Sequence, residues 1–441
     1  MAAPTLAGSG IIAALEDARA RTLLLTADLT DDQLTVPMLE NVNPYLWELG
    51  HVAYFAEFWL LRNLYGEAPL IANADQLYDS AKIPHDARWS LPLPSRAATL
   101  AFLRRQLEHV KRHFERTAPT GKDSMYFHRL ALYHEDMHGE ASIYTRQTLG
   151  YPKPKPCSDA PINNRDYISP GGTGAGGDVR VEGGTYRIGA EPGDGFVFDN
   201  EKWAHEIEIN GFEIARTPVT NAEFAAFVDD GGYTTKRFWS EAGWAWRESA
   251  KAEHPIYWRR AATRPAATPD ATTSWERRRF DAWSPIEAHH PVCHVNWFEA
   301  EAFCNWAGRR LPTEPEWEVA ATGGRHQRYP WGESAPAPHL ANLDARVGDT
   351  VDVGALADGD SPTGCRQMLG NVWEWTSTAF GPYPGFSPDP YREYSAPWFG
   401  THRLMRGGAW SSRARLITTR WRNFYRPHRR DIIAGFRTCK A

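Results

Sequence analysis

The sequence lacks several features whose absence narrows its class. No run of about 18 apolar residues occurs, which excludes an apolar membrane-crossing helix. Basic residues are not in excess: the net charge is −5 and the isoelectric point is near 6.4. Nothing electrostatic therefore favours nucleic acid or an anionic membrane as partner. The opening, MAAPTLAGSGIIAALEDARARTLLL, has no basic segment ahead of its apolar residues, and acidic residues interrupt it, so no secretory leader is expected. There are only five cysteines: Cys157, Cys293, Cys304, Cys365 and Cys439. They are scattered, odd in number and form no CxxC, which argues against a disulfide framework or zinc ribbon and for a reducing cytoplasm. No fixed-period repeat is evident.

Tryptophan is plentiful: there are 19, mostly after residue 200. With 441 residues the chain has room for two or more domains, and the two parts differ in texture. Residues 1–150 read as a four-helix bundle, with helices over about 8–27, 43–66, 95–117 and 122–149. A short helix follows the first at Thr30, Asp31 and Asp32. Ser95 is the predicted N-cap of the third helix, and Gly150 with Pro152 ends the fourth. Residues 67–94 read as one long loop, a length that in a compact bundle usually signals function. Residues 151–178 are rich in proline and glycine and read as a linker. From 179 to 441 short strands such as GTYRIG and HEIEINGFEIAR alternate with turns, and two helices are clear at 221–230 and 296–308. That half is expected to be α+β.

Three histidines occupy positions where apolar residues belong. In YFHRLALYHEDMHGEASIYTRQTLG, residues 126–150, the buried stripe runs Phe127, Leu130, His134, Met137/His138, Ala141. A second stripe runs Trp47, His51, Phe55, Phe58. One buried polar group without a partner costs on the order of 2–7 kcal/mol. Three such groups point to a bound metal, whereas a lone core histidine usually just hydrogen-bonds to a neighbour. His109 and His113 are also four apart, but they fall off the stripe Leu100, Leu103, Leu107, Val110, Phe114, among Lys111, Arg112 and Glu115. They are read as a solvated face.

The second half carries the phrases RTPVTNAEFAAFV, PVCHVNWFEAEAFCNWAGRRLPTEPEWEVAA, GNVWEWT, RGGAW and AGFRT. As a set they resemble the formylglycine-generating-enzyme-like, sulfatase-modifying domain, a relative of the C-type-lectin fold. GNVWEWT and RLPTEPEWE are read as scaffold, with packed aromatics and a buried glutamate network. The catalytic cysteines of that family are missing from GGAWSSRARLITTRW, so cysteine oxidation is not expected; a fold does not fix a function. The first half resembles the DinB-like bundle with its three-histidine metal site. Joined, the two resemble the sulfoxide synthases of the ergothioneine pathway. These use non-haem iron(II) and O2 to join sulfur to the imidazole of hercynine (trimethylhistidine).

That resemblance implies a ligand set of His51, His134 and His138. The ligands alone do not choose the metal, since zinc would accept them too; the resemblance implies Fe(II). It also implies that Asn423, in TTRWRNFYRPHRRDIIAGFRT, contacts hercynine. Trp410, Trp421, Phe424 and Tyr425 are candidates to pack on its trimethylammonium group, with core packing as the alternative. Of the cluster Arg422, Arg426, Arg429 and Arg430, one is expected to hold a substrate carboxylate, and Arg422 is the candidate taken forward. Arg88, in YDSAKIPHDARWSLPLPS, is a candidate substrate residue on the long loop.

The chain departs from the sulfoxide-synthase pattern at three places. Phe380 stands where a proton-donating tyrosine is expected, with Tyr383 the nearest replacement; both are candidate catalytic positions. Met137 replaces a glutamine beside the last metal ligand. Tyr425 replaces an acidic residue that helps hold γ-glutamylcysteine. These departures resemble the selenoneine synthase branch, whose donor is a selenosugar; γ-glutamylcysteine or cysteine is the alternative donor. The rival readings are a non-catalytic ligand-binding module and a zinc-dependent thiol transferase. The expected partners are small molecules only: hercynine, the chalcogen donor and O2.

Overall fold

The computed structural model describes residues 9–117, 125–155, 157, 176–261 and 274–441. Most of the expected linker 151–178 lies outside these residues, as do the expected helix starts at 8 and 122. The chain divides into two compact units at Pro156/Cys157. Among the described residues no helix is long and apolar enough to cross a membrane.

The first unit is helical. It contains α1 (Ser9–Leu24), α2 (Asp31–Thr35), α3 (Tyr45–Ala56), α4 (Ala74–Tyr78), α5 (Arg96–Arg116) and α6 (Tyr126–Leu149). The local sequence explains the ends. Thr30 and Gln33 form a reciprocal cap on α2, Ser95 accepts from the Ala98 N–H at the start of α5, and Gly150 takes the left-handed conformation that closes α6. Two differences from the sequence reading stand out. The expected single helix over 43–66 is α-helical only to Ala56 and continues as a π-helix over Glu57–Leu64. The expected loop 67–94 is not structureless: it holds α4 and a 3₁₀ turn at Asp86–Trp89. Leu77 and Tyr78 of α4 are buried in the core with Trp47, Leu49, Tyr54, Phe102 and Leu103, and that burial makes this segment fold.

The second unit is α+β. Its four-stranded sheets run Asp178–Val181, Phe212–Ala215, Cys439–Lys440, Arg309–Arg310, and Asn423–Tyr425, Arg403–Arg406, Trp373–Ala379, Ala434–Gly435. A hairpin (Gly184–Ile188 with His205–Ile209) and a three-stranded sheet accompany them. The expected helices appear as Asn221–Asp229 and Trp297–Ala307. Helices at Glu241–Ala250 and Glu314–Thr322 escaped the sequence reading.

The scaffold motifs make buried polar bonds. Glu374, from GNVWEWT, accepts from Arg437 Nε at 2.6 Å and from Trp317 Nε1 at 2.9 Å. Glu314, from RLPTEPEWE, accepts from Arg406 at 2.6 Å and Arg422 at 2.7 Å. Removing one partner of such a pair strands a charge in low dielectric. Glu374→Ala is therefore expected to destabilise the second unit by about 3–5 kcal/mol. Urea unfolding followed by tryptophan fluorescence checks this, and an unchanged midpoint would show that Arg437 finds another partner.

Candidate metal centre

Helix geometry sets up the site. Glu48 and His51 lie three apart on α3, and His134 and His138 lie four apart on α6, so each pair shares a face. The three imidazoles converge, with one ring nitrogen from each within 4.8 Å of the others. His134 Nε2 and His138 Nε2 are 3.2 Å apart. Two nitrogens bound at about 2.1 Å and a right angle to one first-row ion would stand about 3 Å apart, so the arrangement fits a metal.

Two of the three rings are oriented from behind. His51 Nδ1 donates to the Tyr78 carbonyl at 2.8 Å, which leaves Nε2 as the free lone pair. His138 Nδ1 sits 2.5 Å from the Glu48 carboxylate. Stacking fixes the ring planes: Trp47 lies 4.7 Å from His51 and Phe55 lies 3.5 Å from His134, both nearly parallel. Gly50 lets Tyr78 come this close, since a Cβ there would stand 2.1 Å from the Tyr78 ring.

Electrostatics favour the neutral form of His51 and His134. Burial, then the neighbouring His138, pushes His51 down to about 3. The same two causes push His134 well below its ordinary value. Burial alone would raise Glu48, but His138 outweighs it and holds the carboxyl at about 2. Neutral imidazole is the form that binds a metal.

His109 and His113 are not the solvated face the sequence suggested. His109 Nδ1 lies 3.1 Å from Glu67, and His113 bonds to the same carboxylate. Tyr65 stacks on His113. Burial would raise Glu67, but its hydrogen bonds to His113 and His109 hold it below its ordinary value. The pair clamps the start of the 67–94 segment onto α5.

The remaining candidates are placed as follows. Met137 is half-buried on α6 beside His138. Arg88 donates to Asn43 Oδ1 at 2.7 Å and lies 4.0 Å over the Trp47 ring. Asn423 stands on an outer strand of its sheet, its carboxamide oxygen accepting from the Phe424 N–H. Tyr425 is half-buried under the Arg429 guanidinium. Trp410 and Trp421 are buried, Trp421 edge-on to Trp373.

Three of these placements correct the sequence reading. Arg422 is not available for a substrate carboxylate. It is 1% exposed, and it is held by Glu314, the Asn200 carbonyl and the Gly381 carbonyl. Of the same cluster, Arg429 pairs with Asp431 and Arg430 with Glu299, whereas Arg426 is exposed and makes no ion pair among the described residues. The Tyr383 hydroxyl donates to Glu314 at 3.1 Å, and burial, then that carboxylate, raises its pKa well above the ordinary value. This makes it a weak acid bound in the scaffold. Phe380, the other candidate catalytic position, lies in no open site. It is fully buried, stacked on Phe424 at 3.9 Å and against Phe399.

Sequence reasoning missed Glu48, Asn43 and Tyr78. Glu48 was accessible to it, as a carboxylate three residues before His51 on the same face. The Tyr78 carbonyl had no side-chain signal at all.

Known proteins resemble both units. Residues 169–441 match the model of the sulfatase-modifying factor enzyme 1-like domain, and residues 14–141 match the DinB superfamily. The hercynine oxygenase of Mycolicibacterium thermoresistibile is 39% identical over 436 residues, spanning 96% of this chain and 93% of that protein. The hercynine oxygenase of Mycobacterium tuberculosis is 38% identical over 96% of each chain. The formylglycine-generating enzyme of Streptomyces coelicolor is 36% identical over 53% of this chain and 78% of that one.

Two outcomes are expected. His51→Ala, His134→Ala and His138→Ala should each abolish tight metal binding while helical circular dichroism persists, whereas His109→Ala and His113→Ala should retain the metal. Metal analysis of the purified proteins decides, and full occupancy in His134→Ala would remove it from the centre. Separately, Phe380→Tyr should lower stability by about 1–3 kcal/mol, because it buries a hydroxyl in a dry stack. A thermal melt equal to wild type would mean that the hydroxyl finds a partner.

Proposed function

This chain belongs to the hercynine oxygenase family, and from that premise we propose that it is an iron(II)-dependent, O2-using enzyme. It forms a carbon–chalcogen bond on the imidazole of hercynine, with a selenosugar as the favoured donor. The convergence of His51, His134 and His138 carries this reading. When bound there, iron(II) would supply open coordination positions for O2.

The chain's own residues have separate tasks. His51, His134 and His138 present ring nitrogens from a site shielded by Trp47 and Phe55. Asn423 is proposed to bind hercynine through its carboxamide NH2, since its oxygen is engaged by the backbone. Among the clustered arginines, Arg426 rather than Arg422 is proposed to take the hercynine carboxylate, because its guanidinium is not already spent. Trp410, Trp421, Phe424 and Tyr425 are the aromatic residues proposed to face the trimethylammonium group.

The donor reading rests on what stands at three positions. Phe380 offers no proton where the sulfoxide-synthase pattern has a phenol, and the Tyr383 hydroxyl is bound to Glu314. Met137 and Tyr425 offer neither the amide nor the carboxylate of that pattern. A selenosugar has no amino-acid head to be read, and its selenium is a more acidic, more easily oxidised chalcogen than a thiol sulfur.

Iron-loaded protein with hercynine should consume O2 and yield the selenium adduct from a selenosugar faster than any sulfur adduct from γ-glutamylcysteine or cysteine, read by mass. A faster sulfoxide product from γ-glutamylcysteine would overturn the donor and leave the hercynine chemistry standing. Turnover without O2 would overturn both. Asn423→Ala should weaken hercynine binding by roughly five- to a hundredfold, the equivalent of about 1–3 kcal/mol, with metal content unchanged. Equal hercynine affinity would remove Asn423 from the site.

A further inference from the structure

The metal ligands have a second layer that connects them to the 67–94 segment. The short helix α4 ends in carbonyls with no partner inside the helix. Two of these are used by the centre: Leu77 O accepts from Trp47 Nε1, and Tyr78 O accepts from His51 Nδ1, each at 2.8 Å. Further along the same segment, Arg88 approaches the centre in two ways. Its guanidinium covers one face of Trp47 at 4.0 Å, while Trp47 stacks on His51 at 4.7 Å. Its Nη1 also donates to Asn43 Oδ1 at 2.7 Å. The Asn43 amide then donates to Glu48 Oε1, and Glu48 Oε2 faces His138 Nδ1. Each polar group in this row is used in one direction, ending on a carboxylate that accepts from both sides.

We propose that Arg88, Asn43 and Glu48 are positioning residues of the metal centre, a relay that fixes the orientation of His138. The same Arg88 braces His51 through Trp47. This proposal rests on the reading of His51, His134 and His138 as metal ligands. It gives Arg88 a different task from the substrate contact expected of it. A carboxylate that accepts from a ligating imidazole makes the other ring nitrogen a stronger donor to a cation. A half-buried carboxylate needs compensation, and Arg88 supplies a positive charge one residue removed, through an amide that cannot itself titrate. Arginine suits the place because its planar fork stacks on the indole and donates in plane at once; lysine cannot do both.

The test uses full-length protein stripped of metal and titrated with cobalt(II), following the visible absorption of the bound ion. Glu48→Gln keeps the shape and loses the charge. It should weaken cobalt binding about 10–100-fold and shift the absorption bands, with the helical signal unchanged. Arg88→Met should weaken binding toward the lower end of that range, and Arg88→Lys should recover only part. If the three residues act in series, Glu48→Gln combined with Arg88→Met should lose little more than Glu48→Gln alone. Should Glu48→Gln fail to fold, Asn43→Ala interrupts the same row from outside the helix and should also weaken binding. Wild type that takes no cobalt would overturn the metal reading itself. Wild type that binds, with variants of equal affinity and identical spectra or with fully additive losses, would overturn the relay and leave the metal centre intact.

Discussion

Neutral imidazoles held in an apolar bundle are the constraint on which the first unit is built. Water would keep these rings mobile and let them titrate near neutrality. Burial removes that freedom, pushing His51 down to about 3 and His134 well below its ordinary value. The penalty for placing three polar rings in a core is offset in specific ways. His51 gives its proton to a helix-end carbonyl, His138 meets a carboxylate, and His134 lies flat on Phe55. Much of the local architecture follows from this. The glycine at 50 admits Tyr78, Tyr78 belongs to a helix inside what reads as a loop, and Arg88 closes that segment over Trp47.

The second unit meets a different constraint with the opposite means. Its many tryptophans and short strands leave a core crossed by charged groups, many of them in ion pairs. Glu314 alone accepts from Arg406, Arg422 and Tyr383. Buried ion pairs add little net stability over apolar packing, but they penalise any arrangement that separates them. In a unit with so little regular structure, that penalty disfavours alternative arrangements. It also consumes residues that otherwise look reactive, as Arg422 and Tyr383 illustrate.

Periodicity within one element made the helices and the buried placing of each histidine legible, whereas their joint ligand set came from the family resemblance. His51, His134 and His138 interrupt apolar stripes, and a stripe is a local property. Caps at Thr30, Ser95 and Gly150 were legible for the same reason. What stayed hidden depends on which residues meet across long separations. Nothing local says that Arg422 faces Glu314, 108 positions away, or that Glu67 lies between His109 and His113. The carbonyl of Tyr78 could not be read at all, since every residue carries one and only the fold selects it. The π-helix after Ala56 was invisible because nothing in EFWLLRNL distinguishes it from an α-helical stretch.

The same distinction bears on Phe380. As a letter in the sequence it marks a missing phenol. In the structure it is the centre of a stack with Phe424 and Phe399, beside the Arg422 guanidinium. A hydroxyl at this position would need a buried acceptor, and the nearby carboxylate of Glu314 is already surrounded by donors. A phenol here would therefore compete for acceptors that are already in use. The packing around Phe380 is that of a core position.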